Sequence, residues 1–537
     1  QMGIRASTYT EVRASSEPVR SRGDGYNFLL ALGDSFARNP REGAYYGNEE
    51  AKPLLENLDD LHEGGVIVYD SGLLDEDDTD NLDARAEANG WHVYPIDLRT
   101  MAREHGREVM RNTAGVAITC ALTGIEPETI TGMMSDAMPD KILDPNLKVF
   151  DQAYDYVHEE FDVDAPDVTV PEGEHDEEQV LLSGSDAIAY GAIDEGCRFI
   201  AGYPMTPWTE VFTIMSQALP QVGGISEQVE DEIAAAALAL GASHMGTKAM
   251  SGSSGGGFAL MSEPLGLAEM TETPVVLIEA MRAGPSTGMP TKPEQADLEH
   301  VLYTSQGDSQ RVVLAPGTVE EAYDHSRQAF QLAYEYQIPT ILLYDQKLGG
   351  ELVSVPASHF DREPNPATGK MLTEAEIEDA PHDASGKFER FRHDVDDGVS
   401  PRTVPGQKGG RHLVTGNEHN PPGHISEDPD NRVAQMDRRA EKMSAIRAHL
   451  DDDSLNYHYG PENAEYGILT FGSQQGTVEE AVDRLNETGI SVKSLTVGEM
   501  MPYPTDEVSA FLDSVDEALV VEMNASAQFR GLTQKEL

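Results

Sequence analysis

The alternation of apolar and polar segments is clearest between residues 180 and 348. Short apolar runs of strand length follow amphipathic stretches of helix length, and this order repeats through the region. The pattern predicts helix 186–196, strand 199–201, helix 207–219, strand 224–228, helix 230–245, strand 248–251, a glycine-rich turn and helix over 252–267, strand 274–281, strand 312–315, helix 319–336 and strand 339–344. Strands that alternate with helices in this way predict an α/β fold with a doubly wound parallel sheet.

The region before this one shows the same alternation over residues 1–161 and predicts a separate α/β domain. The expected elements are strands 26–32, 66–69 and 92–96 and helices 112–122 and 147–161. Residues 8–13 already resemble the middle of a strand, so we expect the front edge of this domain to be missing. Residues 162–179 are acidic, contain two prolines and lack periodicity, which predicts a linker.

The region after residue 348 divides into two parts. Residues 349–465 are rich in Pro, Gly, His and acids and predict one helix, 433–450; so long an irregular segment is usually functional or wrapped over a partner. Residues 466–537 predict a further α/β domain with strand 466–471, helix 478–488, strand 491–496, helix 505–512 and strand 517–521. No terminal element is predicted beyond these, and we expect the tail of this domain to be missing.

The charge of the chain changes this picture more than its hydrophobic content does. The sequence has 95 Asp and Glu against 38 Lys and Arg, a formal net charge of −57. The acids are spread along the whole length, which indicates an acidified surface rather than an acidic tail. Self-repulsion on this scale destabilises a fold unless salt screens it, so we expect a halophilic protein and no nucleic acid as partner.

The cysteine count limits the metal chemistry of the chain. Only Cys120 and Cys197 occur, so this chain alone cannot ligate an iron–sulfur cluster or a cysteine zinc site. No apolar stretch reaches the roughly 18 residues that span a bilayer, and the first residues do not form a signal peptide. We therefore expect a cytoplasmic protein that does not enter a membrane.

Ligands of doubly wound sheets bind at the carboxyl ends of the strands, so the strand-to-helix turns of residues 180–348 are the places to search. Four turns carry polar groups: 203–207, 227–232, 251–257 and 282–288. The last of these adds Ser286 and Thr287 to the candidates, and the first begins with Tyr203. These positions predict a binding site at one edge of the sheet.

Three side chains in these turns have both a structural and a functional interpretation. Thr206 before Pro207 is typical of a helix N-cap, and a helix start also attracts anions. Glu232 lies in a first helical turn, where acids are favourable, but it precedes an apolar run that would bury it. Arg282 ends an apolar strand, where it would form a surface ion pair or bind a substrate carboxylate with two hydrogen bonds.

Other motifs are weaker. The glycine-rich turn 251–257 is similar to a phosphate cradle but lacks GxGxxG and the P-loop lysine. Residues 23–25 read Gly-Asp-Gly, as in diphosphate–magnesium sites, without the distant Asn pair expected after it. His175 and His419 lie near acids and could bind a metal, although solvated histidines are the commoner case. We assign no metal site to this chain.

Several segments together carry a resemblance to a known family. They are 202–207, 230–235, 251–257, 270–274, 282–288 and 414–420. They resemble the alpha subunit of archaeal 2-oxoacid:ferredoxin oxidoreductases, and the N-terminal residues resemble the gamma domain fused ahead of alpha. Family members commonly have Ile and Ser where this chain has Met205 and Trp208.

The resemblance implies a thiamine diphosphate enzyme divided between two kinds of chain. The alpha chain supplies the pyrimidine-binding domain (180–348) and a transketolase C-terminal-like domain (466–537). A beta subunit supplies the diphosphate and Mg2+ site and a 4Fe-4S cluster. By the family's pattern Glu232 hydrogen-bonds the aminopyrimidine ring, while Thr206 and Arg282 hold the 2-oxoacid carboxylate; Tyr203, Ser286 and Thr287 lie nearby.

The expected reaction is the coenzyme A-dependent oxidative decarboxylation of 2-oxoglutarate or pyruvate with reduction of ferredoxin, in a heterotetramer of two alpha and two beta chains. One alternative is a thiamine-dependent transketolase or 2-oxoacid dehydrogenase component, which would act on sugars or lipoamide. The other is a non-catalytic anion-binding α/β scaffold, in which Glu232 would not affect turnover.

Overall fold

The computed structural model describes residues 10–16, 18–33, 54–170, 173, 177–363 and 368–537. The chain forms two compact units, residues 1–174 and 175–537. Among the described residues, no helix is both long and apolar enough to cross a bilayer.

The first unit is a three-stranded parallel sheet with helices. Its strands pair in the order β1-β2-β3, and apolar side chains pack on both faces. The elements are β1 Tyr26–Ala31, β2 Leu61–Asp70, α1 Glu76–Asn89, β3 His92–Ile96, α2 Leu98–His105, α3 Arg111–Thr123, α4 Pro127–Ala137 and α5 Asp140–Glu160. The α/β prediction for this region is confirmed, whereas the described part of the expected strand 8–13, from residue 10 onward, is irregular.

The second unit contains the remaining elements. They are β4 Gln179–Ser183, α6 Gly184–Asp194, β5 Phe199–Gly202, α7 Thr209–Ala218, β6 Ile225–Gln228, α8 Glu232–His244, β7 Ala249–Ser253, α9 Ser262–Met270, β8 Val275–Met281, α10 Leu298–Tyr303, β9 Val312–Leu314, α11 Val319–Tyr336, β10 Pro339–Asp345, α12 Gln346–Gly350, β11 Leu352–Pro356, α13 Glu374–Asp379, α14 Pro429–Asp452, β12 Tyr457–Tyr459, β13 Tyr466–Thr470, α15 Gln475–Glu487, β14 Val492–Thr496, β15 Glu499–Met501, α16 Thr505–Asp513, β16 Glu517–Val521 and α17 Gln528–Glu536.

The main sheet of this unit has seven strands in the order β15-β9-β10-β8-β7-β5-β6. All neighbours are parallel except β15, which pairs antiparallel with β9. Along β8, side chains alternate between two buried clusters, with Val276 and Ile278 in one and Val275 and Leu277 in the other. Helices therefore cover both faces, and the doubly wound prediction is confirmed.

The last part of the chain forms a second, four-stranded sheet in the order β12-β14-β13-β16. Three elements here were not predicted: strand β12, strand β15 and helix α17. The short strand β15 leaves this region to join the seven-stranded sheet. Helix α17 packs by burying Phe529 and Leu532, and the hydroxyls of Tyr503 and Thr533 lie 2.8 Å apart. The expectation that no element follows residue 521 is therefore wrong.

The connecting segment, residues 349–465, packs against the doubly wound domain of its own chain. β11 pairs antiparallel with β4, and α14 places Arg438 and Lys442 against Glu272, which follows α9. Arg438 Nη1 and Lys442 Nζ lie 3.0 and 3.2 Å from Glu272 Oε2, and Arg390 Nη1 lies 3.8 Å from it. All four side chains are buried, so a dense charge cluster fixes this irregular segment.

Candidate active site

The four predicted turns meet at one edge of the seven-stranded sheet. Strands β6, β5, β7 and β8 are consecutive neighbours and run parallel. Their carboxyl ends therefore face the same side, and the turns that follow them lie next to each other. The topology thus collects the segments that contain Thr206, Glu232, Ser253 and Arg282.

Glu232 is the first residue of α8 and is 3% exposed. Asp231 caps the helix by accepting a hydrogen bond from the Ala234 N–H at 2.8 Å. The Ser253 hydroxyl donates to Glu232 Oε1 at 2.9 Å, and Oε2 has no hydrogen-bond partner among the described residues. One carboxylate oxygen is thus held by the protein while the other is left for a ligand.

The glycine-rich turn closes tightly around this carboxylate. A Cβ at Gly257 would overlap both Glu232 Oε1 and Ser253 Oγ, so any larger residue there would have to displace this pair. Gly255 adopts a φ of +48°, a left-handed conformation that favours glycine. The turn therefore serves close backbone approach to Glu232.

Arg282 and Thr206 are brought together directly. Arg282 Nη1 donates to the Thr206 carbonyl oxygen at 2.6 Å, and the side chain is 7% exposed. Its Nε has no hydrogen-bond partner in the described part of the chain. Burial lowers the pKa of Arg282, while Glu279 and Asp297 act in the opposite direction. The guanidinium is thus oriented with donor capacity left for an anion.

The predicted capping role of Thr206 is wrong. Helix α7 begins at Thr209, and its N-cap position is held by Trp208, without a capping side-chain bond. The Trp208 indole is buried and donates to the Tyr203 carbonyl oxygen at 3.2 Å, which folds the turn back before the helix starts. A Cβ at Gly252 would lie 2.6 Å from the indole. The tertiary burial of Trp208, which local sequence does not show, moves the helix start.

The three remaining candidates lie at the surface of these turns. Tyr203 is 37% exposed, and Ser286 and Thr287 are exposed in a loop closed by a 2.8 Å bond from Met289 N to Ala283 O. Among the described residues, their side chains make no hydrogen bond with Glu232, Thr206 or Arg282. They border the site without forming part of its bonded core.

Sequence reasoning missed two acids beside Arg282. Glu279 is fully buried in β8 and accepts a hydrogen bond from Gly255 N at 2.6 Å. Burial, and then the charge of Asp297, raise the pKa of Glu279 well above its usual range, and burial also raises the pKa of Asp297. A lone glutamate within the otherwise apolar run 274–281 was the signal that could have identified it.

Of the two histidines considered as metal ligands, only His419 lies among the described residues, and the structure corrects its expected exposure. His419 is fully buried, not solvated: its Nδ1 lies 2.8 Å from the Asn417 carbonyl oxygen and its ring packs on Phe391. Within the described residues, no group of three or more His, Cys, Asp or Glu is placed to hold a metal. His175 lies outside the described residues.

Comparisons with known proteins identify the class of protein to which this chain belongs. The thiamine diphosphate-binding domain of pyruvate flavodoxin/ferredoxin oxidoreductases matches residues 190–438. Pyruvate ferredoxin/flavodoxin oxidoreductase matches residues 1–156, and core domain II of pyruvate:ferredoxin oxidoreductase matches residues 464–537. The fold and the site therefore define a thiamine diphosphate-binding oxidoreductase chain.

Individual relatives narrow this class. The alpha subunit of 2-oxoacid:ferredoxin oxidoreductase 2 from Aeropyrum pernix is 30% identical over 532 residues, covering 89% of this chain and 81% of the relative. The 2-oxoglutarate synthase subunit KorA of Methanothermobacter thermautotrophicus is 34% identical over 355 residues, covering 66% of this chain and 89% of the relative.

A solved structure agrees with these relatives. It is 2-oxoglutarate:ferredoxin oxidoreductase from Magnetococcus marinus with 2-oxoglutarate, coenzyme A and succinyl-CoA bound. The match has 30% identity and a TM-score of 0.82 and covers 97% of this chain and 85% of that one. The chain belongs to the 2-oxoacid:ferredoxin oxidoreductase family, as an alpha subunit.

Proposed function

We propose that this alpha subunit catalyses, together with a beta subunit, the coenzyme A-dependent oxidative decarboxylation of a 2-oxoacid. The products are an acyl-CoA, carbon dioxide and two reduced ferredoxins. The observation that carries the proposal is the pairing of a buried, half-free carboxylate, Glu232, with the Arg282–Thr206 anion site at one sheet edge.

The residues of the site fit the pyrimidine end of thiamine diphosphate. Glu232 Oε2 would accept or share a proton with a ring nitrogen, because Oε1 is already engaged and the Glu232 side chain is buried. When bound, the cofactor supplies a carbon nucleophile and an electron sink for the 2-oxoacid. The part of this chain is to hold one ring proton at Oε2 and to keep water out.

The substrate carboxylate would bind where Arg282 and Thr206 meet. The guanidinium offers charged donors in a buried setting, and the exposed Thr206 hydroxyl would add a second contact. Tyr203, Ser286 and Thr287 would line the entrance. Since these groups recognise only the shared carboxylate, 2-oxoglutarate and pyruvate are both candidate substrates.

The division of labour between chains is part of the same proposal. The two cysteines, Cys120 and Cys197, are both buried and too few for a four-thiolate cluster, so the 4Fe-4S cluster would sit on the beta subunit with Mg2+ and the cofactor's diphosphate. We place the enzyme in the cytoplasm as a heterotetramer of two alpha and two beta chains. Within the alpha chain we assign five segments: a gamma-type domain (1–161), a linker (162–179), the pyrimidine-binding domain (180–348), a connecting segment (349–465) and a transketolase C-terminal-like domain (466–537). The net charge of −57 supports a salt-adapted host.

The test is purification of the complex in molar salt, followed by an assay of viologen dye reduction that depends on 2-oxoacid and coenzyme A. Glu232→Gln should abolish most of the activity, whereas Glu230→Gln, two residues earlier and exposed, should not. Full activity of Glu232→Gln, or a complex without an iron–sulfur spectrum, would contradict the proposal. Pyruvate and 2-oxoglutarate assayed side by side identify the substrate.

A further inference from the structure

The hydroxyl of Ser253 occupies a central position among the turns of the site. Ser253 is the last residue of β7, is fully buried, and pairs in register with Glu279 on β8. Its Oγ lies 2.9 Å from Glu232 Oε1 and 3.7 Å from Met205 Sδ. One side chain thus touches both the helix that carries Glu232 and the turn that carries Thr206.

The single hydroxyl proton has one strong acceptor. A carboxylate oxygen is a far better acceptor than a thioether sulfur, so the proton points at Glu232 Oε1 and Met205 only packs against the oxygen. This bond selects which oxygen of Glu232 is available. With Oε1 engaged by Ser253, Oε2 is the oxygen without a partner among the described residues and the one left to meet a ring nitrogen.

The glycine-rich turn packs against this hydrogen-bonded pair but does not by itself fix the plane of the carboxylate. Gly257 lies so close that a Cβ would overlap both partners of the bond. If the bond is lost, Glu232 is still confined by Gly257 but can rotate about its terminal torsion, which is broad for a glutamate. Ser253 is therefore the group that fixes the carboxylate plane.

We propose that Ser253 is a positioning residue of the reaction: by donating to Glu232 Oε1 it fixes Oε2 toward the pyrimidine ring of thiamine diphosphate. This inference rests on the proposed function of Glu232 and extends it. A second residue of β7 provides a matched control. Ser251 is equally buried, but its hydroxyl donates to the Ala201 carbonyl oxygen at 2.8 Å, away from Glu232.

The experiment compares Ser253→Ala, Ser253→Thr and Ser251→Ala in the complete complex with the beta subunit. The measurements are the thiamine diphosphate dissociation constant, the circular dichroism signal of the cofactor's imino tautomer as a function of pH, and kcat against KM for the 2-oxoacid. Loss of one hydrogen bond to a charged group should weaken cofactor binding about tenfold or more and displace the pH range of the tautomer signal. Ser253→Thr, which keeps the hydroxyl, should restore both, and Ser251→Ala should change neither.

Two outcomes would overturn the inference, and they are distinguishable. If Ser253→Ala binds the cofactor like the unmodified enzyme and keeps its tautomer pH range while Glu232→Gln is impaired, Ser253 has no positioning role and the proposed function stands. If Glu232→Gln is itself unimpaired, the proposed function fails and this inference fails with it. Should Ser253→Ala fold poorly, Ser253→Cys, of similar size but a weak donor, must show the same loss.

Discussion

Replacement of Arg282 by alanine tests the substrate site most directly. The guanidinium is 7% exposed, is oriented by the 2.6 Å bond to the Thr206 carbonyl oxygen, and keeps Nε without a partner among the described residues. Two charged hydrogen bonds from the remaining donors to a substrate carboxylate, at about 1.5–2 kcal/mol each, amount to about 3–4 kcal/mol. Since about 1.4 kcal/mol is a factor of ten, kcat/KM for the 2-oxoacid should fall about two to three orders of magnitude.

The assay is the initial rate of 2-oxoacid-dependent viologen reduction at saturating coenzyme A, over a range of 2-oxoacid concentrations. Arg282→Lys keeps the charge but not the planar fork, so it should lose less. Lys292→Ala removes an exposed cation from the same loop and should have little effect. An unchanged kcat/KM in Arg282→Ala, or an equal loss in Lys292→Ala, would refute the assignment of the carboxylate to Arg282.

Three further predictions concern the surroundings of the site. Gly257→Ala should weaken thiamine diphosphate binding, measured by titration, because the added Cβ would displace Glu232. The adjacent Gly256→Ala should not, because a Cβ there meets open space. Equal cofactor binding by the two variants would count against the close packing of Gly257 on Glu232. Glu279→Gln should become more stable relative to the unmodified protein as pH rises, by at most about 1.4 kcal/mol of unfolding free energy per pH unit. The pKa of Glu279 is raised in the folded state, so the stability that this carboxyl contributes is present at low pH and is lost as pH rises toward its folded-state pKa, whereas Gln stays uncharged. A stability difference that does not change with pH would contradict this. Glu272→Gln should lose about 3–5 kcal/mol of unfolding free energy, measured by urea denaturation, because it leaves Arg438, Lys442 and Arg390 buried without their anion. Glu418→Gln, whose ion pairs are less buried, should lose less. A larger loss in Glu418→Gln would disprove the role of the Glu272 cluster.

The elements that could be predicted from sequence are those whose burial is set by local periodicity. Helix α11 begins and ends at the predicted residues because its apolar pattern is regular and bounded by a clear start and stop. Strand β16 also has its predicted bounds, although its side chains are exposed or half-buried. By contrast, β7 extends to Ser253, beyond the predicted strand, although glycine and serine disfavour strands. Its pairing with β5 and β8 on both sides overrides that local preference.

The site was predictable in its turns but not in its contacts. Topology alone places the turns of β5, β6, β7 and β8 together, since neighbouring parallel strands end at one edge. The bond between Ser253 and Glu232 and the position of Trp208 depend on distances across the sheet, which no local pattern contains. The same holds for β15, whose partner β9 lies nearly 190 residues earlier.

The interior of the protein holds a different ratio of basic to acidic side chains from the sequence as a whole. Among the described residues, nine Lys and Arg and eight Asp and Glu side chains are buried, although the sequence has 38 of the former and 95 of the latter. Scarce cations are thus used disproportionately inside, where they nearly balance the buried acids, so almost the whole net charge of −57 lies outside the buried set. At molar salt the Debye length is about 3 Å, so exposed ion pairs contribute little while buried ones keep their strength. Placing Arg282, Arg438 and Lys442 in the interior therefore preserves their interactions under the concentrated salt to which we propose this enzyme is adapted.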